Sequence, residues 1–313
     1  MKSVFFLLLS LVCGASLYAQ QAGPLSKSDL ASLTAAEADL LKLSYTMHTD
    51  SNEEARFVAC KSLIRELVTA LKTPNSFNYD FAALKGIKVL AAPDNSFRFF
   101  TWELHVDRDN YQHFGAIQYN SEKLKLVPLI DRGDKIRQNP EMAFTTNENW
   151  LGYVAYNILP GGTYDGKQYY FLFGYDRFGT YSRQKVLDVF YFNNQGVPSF
   201  GLPVLVTYTP EGHLLEDRAR IILRYSAEAS VAMRFEEESQ RIIYENLIIA
   251  DGPNDEGPVN MPDGSYHALE LGKDGRWHEV SKVFSHKYEK APKPEPKQVT
   301  NSDIIGRPTG GGN

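Results

Sequence analysis

The sequence predicts an α+β protein: an N-terminal helical pair followed by a large antiparallel β-sheet system, stacked like a sandwich or arranged like a propeller. Three observations predict it. Apolar residues repeat at three and four between residues 34 and 71. Beyond residue 86 the period changes to two. Short polar turns then separate many short apolar runs, and no helix-length segment lies between them, which calls for antiparallel pairing.

The chain opens with Lys2, the apolar run Val4 to Val12, and small and polar residues ending at Ala19 before Gln20. This is the layout of a secretory signal peptide over residues 1–19. The run is shorter than the ~20 residues a transmembrane helix needs. Cys13 raises a lipoprotein variant, but Val12 is a poor fit just before a lipidated cysteine. No later segment is apolar enough to span a membrane, so the mature chain is expected in a periplasm or at the outer envelope. Of the two cysteines only Cys60 then remains, which excludes an intramolecular disulfide. Without Lys2 the 33 basic side chains become 32 against 38 acidic, a net of −6. That balance argues against nonspecific nucleic-acid binding.

Residues 20–85 form the helical segment. Thr34-Ala35-Ala36-Glu37 has the spacing of a capping box, and Ala36, Leu40, Leu43 and Met47 follow at helical spacing. A second box, Ser51-Asn52-Glu53-Glu54, precedes the stripe Phe57, Cys60, Ile64, Leu67 and Leu71. Thr73-Pro74 stops the second helix, because the residue before proline resists helical geometry. The short link between the helices predicts an antiparallel pair lying on the sheet.

Residues 86–286 form the β-rich body. Phe100, Trp102, Leu104 and Val106 alternate with Thr101, Glu103 and His105, the pattern of a half-buried strand. The turn at residues 107–110 leads to a strand from His113 to Tyr119, then Leu124 to Leu129. After a polar interval from Asp131 to Asn149, strands are expected at Trp150 to Leu159, Gln168 to Tyr175, Lys185 to Phe192 and Val204 to Tyr208. Others follow at Arg220 to Tyr225, Ser230 to Phe235, Arg241 to Leu247, Tyr266 to Leu271 and Trp277 to Phe284. Residues 287–313, rich in Pro, Lys and Gly, have nothing apolar to reward ordering and read as a disordered tail.

Several patterns approach chemistry without reaching it. Gly161-Gly162-Thr163-Tyr164-Asp165-Gly166-Lys167 has the spacing of a phosphate-binding loop. Gln168 replaces the magnesium-holding hydroxyl, and a strand rather than a helix follows, so the segment reads as a hairpin turn. His105, Asp107, Asp109 and His113 are close, yet no paired His on a helix or Cys pair accompanies them, and they read as a polar face and turn. Cys60 lies on an apolar stripe, and Ser199 lacks a strand-to-helix elbow. Neither a metal nor a cofactor is expected. A carboxylate pair for glycan hydrolysis could come from Glu103, Asp176 or Glu245, but spacing alone cannot bring these acids together. The rings of Trp102, Trp150, Tyr153, Tyr175 and Trp277 are the candidate ligand-binding residues, with core packing as the competing fate.

Four segments carry a resemblance. They are Ala92-Pro93-Asp94-Asn95-Ser96-Phe97-Arg98-Phe99-Phe100-Thr101-Trp102, Phe114 to Tyr119, Ile221 to Arg234, and Pro262 to Tyr266. Together they resemble uncharacterised exported proteins of Bacteroidota, over most of the chain from about Leu30 to Phe284. The resemblance implies a bacterial envelope location and assigns no residue a role. The expectation is therefore a noncatalytic envelope protein that binds a partner or glycan through its β-rich body. A glycan or cell-wall hydrolase using a carboxylate pair is the alternative.

Overall fold

The computed structural model describes residues 21–136, 138–209, 212–252 and 257–280. The expected signal peptide with Cys13, the tail, and the stretch 281–284 of the last expected strand lie outside these residues. No helix among the described residues is long and apolar enough to cross a membrane.

Helix α1 spans Lys27–Thr49 and α2 spans Glu53–Leu71. The first helix begins earlier than the Thr34 box predicts. Ser26 is the cap, its hydroxyl accepting from the Asp29 N–H. Thr34 instead donates back to the Leu30 carbonyl from within the helix. Glu37 is drawn inward, accepting from the Ala83 and Leu84 N–H groups at 2.8 and 3.1 Å and from the Tyr79 hydroxyl. Asn52 caps α2. Leu33, Leu40, Met47, Cys60, Leu63, Leu67 and Leu71 form the buried stripe, whereas Phe57 is exposed.

Among the described residues, sixteen strands form three sheets. The first is β1 (Lys88–Ala91), β2 (Phe97–Asp107), β3 (Asn110–Tyr119) and β4 (Leu126–Ile130), paired in that order. The second runs β5 (Thr145–Thr146), β9 (Pro198–Phe200), β8 (Ser182–Phe192), β7 (Lys167–Asp176), β6 (Val154–Tyr164), with β12 (Arg220–Ser226) beside the first half of β8. The third runs β11 (Leu214–Arg218), β10 (Leu205–Tyr208), β16 (Trp277–Val280), β15 (Pro258–Leu271), β14 (Arg241–Asp251), β13 (Met233–Glu236). Among the described residues, the strands pair antiparallel except β10 with β16, and an isolated parallel bridge joins Asp131 to Trp150.

The sheets are stacked, and side-chain alternation shows how. On β2, Phe100, Trp102 and Leu104 pack with the helices, while Phe97 and Phe99 pack with Tyr170, Leu172, Val186 and Phe190 of the second sheet. On β7, Tyr169, Phe171 and Phe173 face the other way, joining Leu205, Ile242, Leu269 and Trp277 of the third sheet. The order of layers is therefore helices, first sheet, second sheet, third sheet. The expected half-buried strand at β2 is thus covered on both faces. Thr101, on the face expected to be polar and outward, is 1% exposed and accepts from the Ala155 N–H at 3.0 Å.

The phosphate-loop-like segment is a hairpin. β6 and β7 are joined by Asp165-Gly166, both at positive φ (48° and 71°), the requirement of a tight two-residue turn. Gly161 lies inside β6, where a Cβ would come within 2.2 Å of the Tyr169 ring.

The second sheet also buries a charge pair. Asp188 on β8 and Arg220 on β12 are both 0% exposed, with Nε–Oδ1 at 3.0 Å. Burial pushes the Asp188 carboxyl up, and the guanidinium offsets this only in part. Arg220 also donates to the Pro140 and Ala143 carbonyls, and Tyr153 donates to Asp188 at 3.2 Å. Breaking such a pair leaves an uncompensated buried charge, which costs about 3–5 kcal/mol. Arg220→Met is expected to lose that amount in urea unfolding, and adding Asp188→Leu is expected to recover most of it. A double variant as unstable as the single one would contradict this.

Candidate functional site

The five candidate aromatics do not share a face. Trp102 lies under the helices, stacked on Phe114 at 5.7 Å. Trp150 and Tyr153 pack edge to face between the first and second sheets, at 5.0 Å. Trp277 lies between the second and third sheets, its indole N–H donating to the Gly161 carbonyl at 3.0 Å. These four are at most 5% exposed, because large rings are what the three inter-layer cores are built from. Tyr175 is half-buried, with the Lys185 ammonium 5.4 Å from its ring. Ser199 is buried in β9, donating to the Val197 carbonyl, and burial raises the Cys60 thiol.

The structure does join two of the three candidate acids. Glu103 on β2 and Asp176 at the end of β7 both approach His113, which stands opposite Glu103 on β3. His113 Nε2 is 3.9 Å from Glu103 Oε2 and 3.4 Å from Asp176 Oδ1. Its Nδ1 is 3.4 Å from Asp131 Oδ2, a third acid just after β4 that sequence reasoning missed. Glu245 stands apart, accepting from the Ala232 N–H. Burial lowers the His113 imidazole, and contacts with Asp131, Asp176 and Glu103 outweigh it, leaving it above its ordinary value. Burial raises Asp131, and the hydrogen bonds and charge of His113 outweigh that too, so Asp131 is held low. Arg177 grips Glu103 at 2.9 Å.

The other members of the expected polar turn go elsewhere. His105 stacks on Tyr111, Asp107 accepts from Asn110, and Asp109 accepts from Thr180. Among the described residues no group of three or more His, Cys, Asp or Glu is arranged to hold a metal ion. The space beside His113 is a cavity of about 40 Å³ bordered by Asp109, Asp131, Asp176 and Arg224. That holds a few waters at most.

A larger concavity, about 790 Å³, lies between β12 and the third sheet. Ile222 and Arg224 form one wall, Leu247, Ile248 and Asn260 another, and Tyr208 the rim. Several of its polar groups are paired within the protein. His267 stacks on Tyr244 at 5.3 Å and sets Nδ1 2.6 Å from Glu279 Oε1. Glu279 Oε2 accepts from the Tyr208 N–H at 2.9 Å. Arg218 donates to Glu141 at 2.6 Å, with its Nε buried and without a hydrogen-bond partner. Burial raises Glu279, but His267, the Tyr208 N–H and Arg218 outweigh it, so its carboxyl is held low.

A carboxyl held low in the folded state contributes stability above its unfolded value, and that contribution is lost as pH falls through the folded value. Acidification below about pH 4.5 is therefore expected to loosen the groove. Glu279→Gln is expected to lower the urea midpoint at pH 7 and to flatten its acid dependence. An unchanged acid limb in the variant would contradict this assignment.

Comparison with family models, with curated proteins and with solved structures finds no match for this chain.

Proposed function

We propose that this chain is a noncatalytic exported envelope protein that binds a glycan or peptide-like ligand in the groove between β12 and the third sheet. The observation that carries the reading is the contrast between the two concavities. The groove, at about 790 Å³, falls in the usual range of ligand sites, whereas the acid-rich cavity, at about 40 Å³, cannot take a sugar ring. The groove mixes aliphatic side chains with a half-exposed tyrosine, and its charges are neutralised internally. Such a lining suits a neutral polar ligand with apolar faces better than a strongly charged one. Export rests on the N-terminal pattern of Lys2, Val4 to Val12 and Ala19.

The convergence of Glu103 and Asp176 on His113 favours a second reading, hydrolysis by a carboxylate pair. Glycoside cleavage needs an acid that holds its proton near neutral pH, facing an open subsite. Asp131 is held low, and Asp188, which burial pushes up, is sealed against Arg220. The binding reading therefore accounts for more of the geometry.

A thermal-shift screen with cell-wall and glycan fragments tests it. A ligand at a hundred times its Kd adds about 2.7 kcal/mol of stability, which raises Tm by several degrees. Tyr208→Ala is expected to weaken the shift, while Glu103→Gln leaves it in place. Turnover of the stabilising fragment, abolished by Glu103→Gln, would overturn the proposal in favour of the hydrolase.

A further inference from the structure

We propose that His113 and its three carboxylates form a pH-dependent clasp, which holds the end of the β2–β3 hairpin on the end of the β7–β8 hairpin and releases it as pH rises. The two hairpin ends meet through Thr180 and Arg177. Thr180, between β7 and β8, donates to the Arg108 carbonyl at 2.9 Å and to the Asp109 carboxylate. Arg177 reaches Glu103 and lies 5.8 Å from the Tyr111 ring centre. Beneath them sits His113, buried among acids from three elements: Glu103 of β2, Asp131 after β4 and Asp176 of β7. Arg224 of β12 and Asp109 complete the charged border of the cavity.

The arrangement suits an imidazolium. Protonated, the ring presents N–H groups to Asp131 on one side and to Asp176 and Glu103 on the other. Neutral, with its proton kept on Nδ1 by Asp131, it turns a lone pair toward the Asp176 carboxylate at 3.4 Å, and attraction becomes repulsion. Neither Nε2 of His113 nor Oε2 of Glu103 has a hydrogen bond to soften that change. Arg177, paired with Glu103, and Arg224, on the cavity border, then stand at the edges of the carboxylate cluster. The folded imidazole is raised above its unfolded value of about 6.5, so the closed clasp is fully supported below that pH. Support is lost as pH rises through the folded value.

Amide hydrogen exchange over residues 107–113 and 176–182, corrected for intrinsic rates, reads the clasp directly. Between pH 6 and pH 9 the protection of both segments is expected to fall about tenfold or more, while residues 241–247 of the third sheet stay unchanged. His113→Gln, which cannot titrate, is expected to abolish the pH dependence. Asp131→Asn is expected to move its midpoint to lower pH and keeps the test decisive if His113→Gln fails to fold. Equal protection at both pH values, a parallel loss in residues 241–247, or an unmoved midpoint in Asp131→Asn would overturn the proposal.

Discussion

The second sheet is buried on both faces, and the rest of the molecule follows from that constraint. β7 and β8 send Tyr169, Phe171, Phe173, Leu187 and Val189 to one side and Tyr170, Leu172, Val186 and Phe190 to the other. Each face needs an apolar cover, so a sheet lies above and another below. The first sheet is then committed on one face, and its remaining apolar residues, Phe100, Trp102 and Leu104, need the helices. Polar atoms carried into these layers must find partners there, which accounts for the Asp188–Arg220 pair and for the Thr101 bond to Ala155.

Concave surfaces arise where this layering runs out. β8 is shared, with β9 beside its last residues and β12 beside its first seven. Among the described residues β12 pairs with β8 alone, and the groove forms in the gap between it and the long β14–β15 hairpin. At the end of β7 the apolar alternation gives way to Asp176 and Arg177, and the acids around His113 collect there. The acids around His113 border the small cavity, while the larger groove mixes aliphatic side chains with Glu245 and Glu279, and the proposed ligand binding rests on that difference in size and lining.

Helices and strands were legible in the sequence because local period reports them. The stripe from Cys60 to Leu71 and the turn at Asp165-Gly166 needed only neighbouring residues. The number of layers was not legible. Thr101 and Glu103 read as an outward polar face, since alternation says which residues share a side but not what covers it. The continuous run Tyr169-Tyr170-Phe171-Leu172-Phe173 was the available signal, because a strand covered on both faces loses its alternation. β5 and β9 are too short to carry a period, and the parallel contact of β10 with β16 joins residues about seventy apart. The His113 cluster draws on four separate places in the chain. Glu103 was identifiable as an acid on a strand, but Asp176 lay just past the expected strand Gln168 to Tyr175, and Asp131 fell in an interval that looked only polar.

The central claim is that the doubly covered second sheet is the most stable part of the fold. Native-state hydrogen exchange under increasing denaturant tests it most directly. The account predicts that amides of Phe171, Phe173, Leu187 and Val189 exchange last, at the rate of global unfolding, after those of α1, α2 and the outer strands. Slowest exchange in the helices or the third sheet, with β7 and β8 opening earlier, would contradict it.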